Sequence, residues 1–257
     1  MPELAATLQR AAAVALPRQH IFLLSHMRAY TSLFGHILGS NPQICGYYEM
    51  HIGYHSWKSL VRQKLRYFRD DPVKPGVRFM FDKVLHNDHD TNLKVLDMPR
   101  CRVIFALREP QSVVPSILKL YAQVDPQHEF NDEAFATQYY IERLEELDRL
   151  AGALQRPYFY LDADSLKHDA DDCLARLSNW LGLSTPLSPN YEMQRNSLKE
   201  RYGDSSERMK AGQITSDKSD YDSYAADPAS MARATETYVR VRKVLARGSA
   251  DSCVIGN

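Results

Sequence analysis

The chain has 257 residues, 44% of them hydrophobic and 25% charged, and its 32 basic and 32 acidic side chains balance to a net charge of zero. Those figures exclude collagen-like, coiled-coil and wholly disordered chains, and they remove the main electrostatic argument for a nucleic-acid binder. No apolar run approaches the ~20 residues of a membrane span, and Ala11 to Leu16 ends at Pro17 with no basic segment before it, so a soluble, cytoplasmic protein is expected.

In chain order, strands alternate with helices, which predicts an α/β domain with a central, mainly parallel sheet flanked by helices. Ile21 to Leu24 is a short continuous apolar run, as a buried first strand would be, and it breaks at Ser25-His26-Met27-Arg28. Leu33, Phe34, Ile37 and Leu38 follow at helical spacing, with Ser40-Asn41-Pro42 as the stop. A second strand is expected over Val77 to Phe81 and a third over Val103 to Leu107. If so, Lys83, His86 and Arg108 follow strand ends, where the ligand crevice of a parallel sheet lies. A long helix is predicted from about Asp132 to Leu154, with Asn131 as its N-cap and Ile141, Leu144, Leu147, Leu150 and Leu154 on one face. Tyr158 to Leu161 then gives a strand, and Cys173, Leu174, Leu177, Trp180 and Leu181 a helix closed by Gly182. Residues 185–226 are polar, with few apolar anchors, and are expected to cover a site or move. Asp227-Pro228 should cap a last helix over 227–247, and 248–257 should form a loose tail.

The strand-loop-helix at Ile21 to Leu38 can receive a phosphate, because the N–H groups and dipole of a helix start favour an anion. No G-x-x-x-x-G-K-[ST] occurs, so ATP or GTP hydrolysis loses its best support. What stands there is Arg28-Ala29-Tyr30-Thr31-Ser32, a guanidinium and two hydroxyls, although a loop with a surface arginine would look the same. A second group is Arg108, Pro110 and Ser116, where a helix after the turn could bring the Ser116 hydroxyl back to the Arg108 guanidinium and clamp one phosphate.

These residues resemble the sulfotransferases that use 3′-phosphoadenosine 5′-phosphosulfate (PAPS). The family's R-x-P-x-x-x-x-x-S, which binds the 3′-phosphate, is met by Arg108, Pro110 and Ser116. Its P-R-S-G-[ST]-T loop, which binds the 5′-phosphosulfate, is met by Arg28, Thr31 and Ser32, followed by Leu33 and Asn41-Pro42, with Met27 at the usual Pro and Tyr30 at the usual Gly. That glycine matters where the loop needs positive φ, so the resemblance implies either a different path or a separate task for Tyr30, stacking on the nucleotide or lining the acceptor pocket. Asp164-Ser165-Leu166 with Trp180 to Leu183 is similar to the stretches that support the nucleotide side. Tyr202-Gly203-Asp204-Ser205-Ser206 with Gly212-Gln213-Ile214 is similar to the loop that closes over the cofactor. The matches span roughly 20–215 of what is taken as a single 1–257 domain of P-loop type.

The resemblance implies in-line sulfonyl transfer from PAPS to an acceptor hydroxyl or amine, with adenosine 3′,5′-bisphosphate released and no metal required. Arg28 and the helix start, with Lys83, would neutralise the leaving phosphate, and a general base would take the acceptor proton. Glu49 leads for that base, with His86 and His51 as competitors. The acceptor is open among small molecules, glycans and lipids, its pocket expected in loops 45–75, 120–135 and 190–225, and a homodimer is possible. Other readings are a module that binds adenosine 3′,5′-bisphosphate without turnover and a P-loop small-molecule kinase. His86-Asn87-Asp88-His89-Asp90 is expected to be a solvated loop rather than a metal site, and Cys45, Cys101, Cys173 and Cys253, with no C-x-x-C, reduced thiols. Lys58, Arg62, Lys64, Arg66 and Arg69 should form a solvated helix face, with an anionic acceptor as the sharper alternative. Tyr47, Tyr48, Tyr54 and Trp57 could line an acceptor pocket or belong to the core.

Overall fold

The structure, a computed structural model, describes residues 2–194, 212–214, 224 and 226–256. The elements run α1 (Pro2–Ala15), β1 (Gln19–Leu24), α2 (Thr31–Ser40), β2 (Ile44–Cys45), α3 (Trp57–Asp70), β3 (Phe79–Val84), α4 (Leu93–Leu96), β4 (Cys101–Leu107), α5 (Pro110–Val124), α6 (Glu133–Ala153), β5 (Tyr158–Asp162), α7 (Ser165–His168), α8 (Ala170–Leu181), α9 (Pro228–Gly248) and β6 (Asp251–Cys253). The six strands form one sheet in the order β2-β3-β1-β4-β5-β6, and every pairing is parallel.

Burial on both faces explains why the strands are continuous apolar runs rather than alternating ones. Phe22 and Leu24 of β1 and Val103, Phe105 and Leu107 of β4 face one core, shared with α3, α5, α6 and α9. Ile21, Leu23, Ile104 and Ala106 face the other, under α2 and α8. The chain leaves central β1 toward β2 and β3 on one side and later fills β4 to β6 on the other, so the crevice of such a sheet opens at the carboxyl ends of β1 and β4.

Several expectations need correction. β3 extends through Asp82 and Lys83 to Val84, so Lys83 lies inside the strand rather than after it; both charged side chains are buried with partners, which apolar patterning does not foresee. Asn131 is the end of a short 3₁₀ turn, and the cap of α6 is Asp132, whose side chain accepts from Phe135 N–H at 2.9 Å. Residues 251–253 of the expected tail are strand β6 instead, held because Ala250 N–H donates to Tyr158 O and Asp162 accepts from Ile255 N–H, both at 2.9 Å. Lys64 turns inward from α3, its ammonium on the carbonyls of Val14 and Leu16 at the end of α1, and so leaves the basic face. Tyr47, Tyr48 and Tyr54 are core, while Trp57 is exposed. The expected caps hold at α8, where Gly182 takes φ 63, and at α9, where Asp227 accepts from Ser230 N–H. The four cysteines are free and buried, and among the described residues no helix is long and apolar enough to cross a membrane.

Candidate active site

The loop from β1 to α2 is built around left-handed residues. Arg28 has φ 63 and Tyr30, capping α2, has φ 52. The tyrosine therefore keeps the conformation for which a glycine would be the natural choice, at a cost of roughly 1–2 kcal/mol. Its ring offsets part of that cost by lying between two cations: the Arg108 guanidinium is 4.1 Å from its centroid and the Lys167 ammonium 4.6 Å. Tyr30 thus ties the loop to Arg108 after β4 and to Lys167 of α7, and the loop keeps the left-handed turn that a glycine would take rather than a different path.

Arg28 Nε donates to Ser116 Oγ at 2.8 Å. The expected partnership of Ser116 with Arg108 is thus replaced by one with Arg28. Arg108 lies alongside and donates from Nη1 to Arg28 O at 3.2 Å, with Asp164 Oδ1 3.5 Å from its Nε. Arg108 is 7% exposed, and its Nε is among the few buried side-chain atoms of the described residues with no hydrogen bond. A buried guanidinium with donor capacity to spare suits an incoming anion, although Asp164 already draws on part of its charge. From β3, Lys83 Nζ reaches Ser32 Oγ at 3.4 Å, at the first turn of α2. Ala29 and Thr31 are buried in the same turn. Arg28, Ser32, Lys83, Arg108 and Ser116 thus gather around one helix start, whereas Tyr202 and Gly203 lie outside the described residues. Gly212 and Gln213 are described, and they pair with Tyr191 and Asn190.

On the β2–β3 side, Gly46 takes φ 118 in the turn toward Glu49, and a Cβ there would meet Phe81 O at 2.1 Å. Asp82 fixes that turn: its Oδ1 accepts from Met50 N–H at 3.0 Å and Lys83 N–H at 2.8 Å, and Tyr54 donates its hydroxyl to Oδ2. Glu49 is 9% exposed, and its Oε1 accepts from Leu85 N–H at 3.3 Å. His86 shares this environment; burial lowers its pKa while the Glu49 charge opposes that. His51 is exposed, its Nδ1 3.0 Å from Nε2 of His89.

Three positioning residues had no local sequence signal. His26 is fully buried, with Nδ1 on Met27 O at 2.9 Å and Nε2 accepting from Arg108 N–H at 3.1 Å, so the carbonyl contact makes Nδ1 the protonated nitrogen. From α6, Tyr139 accepts from Met27 N–H at 3.0 Å and donates to Leu85 O at 2.9 Å. One turn on, Arg143, 2% exposed, donates to Ser25 O, Val84 O and Asn87 Oδ1 at 2.7–2.8 Å. These groups hold the β1 and β3 loops in register. Arg143→Met should lower stability by about 2–5 kcal/mol, because it strands buried carbonyls that cost about 1–3 kcal/mol each. Urea unfolding checks this, and an unchanged midpoint contradicts it.

Several buried titrating groups set an acid sensitivity. Burial holds His26 down to about 3 and His20 to about 4, so each takes a proton on unfolding below about 6.5, and His86, also lowered, adds to that side. Burial lifts Asp82 to about 7, so the native state keeps a proton that the unfolded chain releases above about 3.9. Between about pH 4.5 and 6 the histidines outweigh the one carboxyl, and stability should fall by about 1 kcal/mol per unit of acidification. Asp82→Asn removes the opposing group and should roughly double that slope. Denaturation midpoints across the window measure both, and a flat profile contradicts the burial of the histidines.

No family model matches the chain, and no curated protein does. Among solved structures it superposes on the "Sulfotransferase Domain from the Curacin Biosynthetic Pathway" with a TM-score of 0.52 at 14% identity, over 88% of this chain and 98% of that one. It also superposes on the "Sulfotransferase Domain from the Synechococcus PCC 7002 Olefin Synthase" with a TM-score of 0.50 at 17% identity, over 87% and 95%. The chain has the sulfotransferase fold. Within that fold the site assembled above occupies the carboxyl edge of the sheet. Two surface hollows lie elsewhere: about 400 Å³ lined by Arg18, Arg78 and Arg100 before the start of β1, and about 480 Å³ between the ends of α6 and α9. Neither is lined by a residue of the cluster around the α2 start.

Proposed function

We propose that this protein moves a sulfonyl group from PAPS to a hydroxyl or amine of a small-molecule, glycan or lipid acceptor. The reading is carried by one observation: Arg28, Lys83, Arg108 and the hydroxyls of Ser32 and Ser116 surround the start of α2. The sulfotransferase fold supports it. The acceptor oxygen attacks sulfur as the bond from sulfur to the bridging phosphate oxygen breaks, and adenosine 3′,5′-bisphosphate departs. Lys83, directed at the α2 start, neutralises the charge that grows on the bridging oxygen, and Arg28 with the helix N–H groups binds the 5′-phosphate. Arg108, whose Nε has no hydrogen bond, binds the 3′-phosphate. Glu49 takes the acceptor proton, its carboxylate aimed by the Leu85 N–H and by the Asp82 staple on its loop.

Calorimetric titration with adenosine 3′,5′-bisphosphate beside 5′-AMP and ATP tests this. Micromolar binding of the bisphosphate, at least about tenfold tighter than either rival, is expected from one extra charge-assisted phosphate contact. Equal affinities would overturn the reading. Tight bisphosphate binding with no transfer to any of a broad acceptor panel would instead favour a module that holds the nucleotide without turnover.

A further inference from the structure

The loops after β2 and β3 bring together two imidazoles that the proposed transfer does not use and the carboxylate that it does. Glu49 and His51 come from the loop after β2, and His89 from the loop after β3. One ligand atom from each lies within 4.8 Å of the others, and among the described residues this is the one such trio. The histidine edges meet: His51 Nδ1 and His89 Nε2 are 3.0 Å apart, with ring planes inclined at 62° rather than stacked. The rings hydrogen-bond to each other, and two nitrogens bound to one cation at about 2.0–2.1 Å with a bond angle near 90–110° sit about 2.8–3.4 Å apart, so a cation could replace the shared proton with little movement of the rings.

The backbone fixes the meeting. Tyr54 N–H donates to Asp90 O at 2.8 Å and Asn92 N–H to Tyr54 O at 2.9 Å, stitching the two loops just after the histidines. Thr91 Oγ1 donates to His89 O at 3.2 Å. His51 itself holds φ 50, a left-handed conformation that a non-glycine residue adopts at a cost and that clusters at functional positions.

We infer that Glu49, His51 and His89 form a site for a borderline divalent cation of the zinc class. Two imidazoles and one carboxylate are the three-ligand set of open zinc and iron(II) centres, whereas magnesium and calcium prefer oxygen alone. Three protein ligands leave a coordination position for water or for an oxygen of an acceptor. Occupancy and base catalysis are alternative uses of one carboxylate, because a metal-bound Glu49 is a far poorer proton acceptor. The metal-free form is therefore the one competent for the transfer proposed above, and the cation acts as a brake on it.

The test is binding, read without activity. The chelator-treated protein is titrated with Zn²⁺ by calorimetry and with Co²⁺ by visible absorption. One equivalent should bind with micromolar or tighter affinity and with cobalt bands of a nitrogen and oxygen site, and His89→Ala and Glu49→Gln should each weaken it at least about tenfold. His55→Ala, which removes the exposed neighbouring imidazole, should leave it unchanged. No cobalt band, equal affinity in wild type and His89→Ala, or a loss in His55→Ala as large as in His89→Ala would each overturn the site. The bisphosphate titration does not involve these residues, so failure of one proposal leaves the other standing.

Discussion

Arg108→Ala should abolish the preference for adenosine 3′,5′-bisphosphate over 5′-AMP while leaving AMP binding nearly intact. The guanidinium is buried at the end of β4, held by Arg28 O and by the Tyr30 ring, with donor capacity unused at Nε. A 3′-phosphate that accepts from it should lose about 1.5–3 kcal/mol when it goes, roughly a 10- to 150-fold rise in the dissociation constant. AMP has no such phosphate and serves as the internal control. Arg108→Lys separates charge from geometry: the ammonium keeps the charge but not the planar fork, so an intermediate loss is expected. Because Arg108 also anchors Tyr30, the far-ultraviolet circular dichroism of each variant should match wild type for the comparison to hold. A bisphosphate preference that survives Arg108→Ala removes this residue from the phosphate site.

Glu49→Gln should reduce kcat by about 10²–10⁴ with nucleotide affinity unchanged, the ordinary worth of a positioned base. The substitution is conservative where it matters structurally, since the amide oxygen can still accept from Leu85 N–H. What it loses is the ability to take a proton. His86→Asn provides the contrast: if the imidazole were the base, that variant rather than Glu49→Gln would lose turnover, and its pH profile would flatten on the acid limb. Near-normal turnover in Glu49→Gln takes the role away from this carboxylate.

Four of the six strands were legible because buried parallel strands are continuous apolar runs, and Ile21 to Leu24 and Val103 to Leu107 lie within β1 and β4, each of which begins two residues earlier, while the two-residue β2 is too short to leave a pattern. Asp227-Pro228 and Gly182 were legible because caps depend on local backbone chemistry alone. Arg28, Lys83, Arg108 and Ser116 were placed at one edge by spacing, but their pairing was not: whether Ser116 meets Arg108 or Arg28 depends on how α5 leaves the sheet, a tertiary matter. The same limit hid His26, Asp82, Tyr139 and Arg143. An arginine that reaches across 59 to 118 residues to a carbonyl, or a histidine that accepts from an N–H 82 residues on, leaves no pattern near itself. β6 escaped because Asp251-Ser252-Cys253 has neither length nor alternation, and its place is set by Tyr158 and Asp162 on another strand.

The all-parallel order of the sheet also governs how fast this chain can fold. No two neighbouring strands can close as a hairpin, and central β1 must wait for β3 and β4, which pair His20 with Met80 and with Cys101. Contacts so distant in sequence carry a loop-entropy cost before they return any burial, which makes for slow refolding and leaves the β1 edge open to another copy until β3 and β4 pair with it. Recovery from denaturant should therefore fall with protein concentration, and dilution, more than added ligand, should decide the yield.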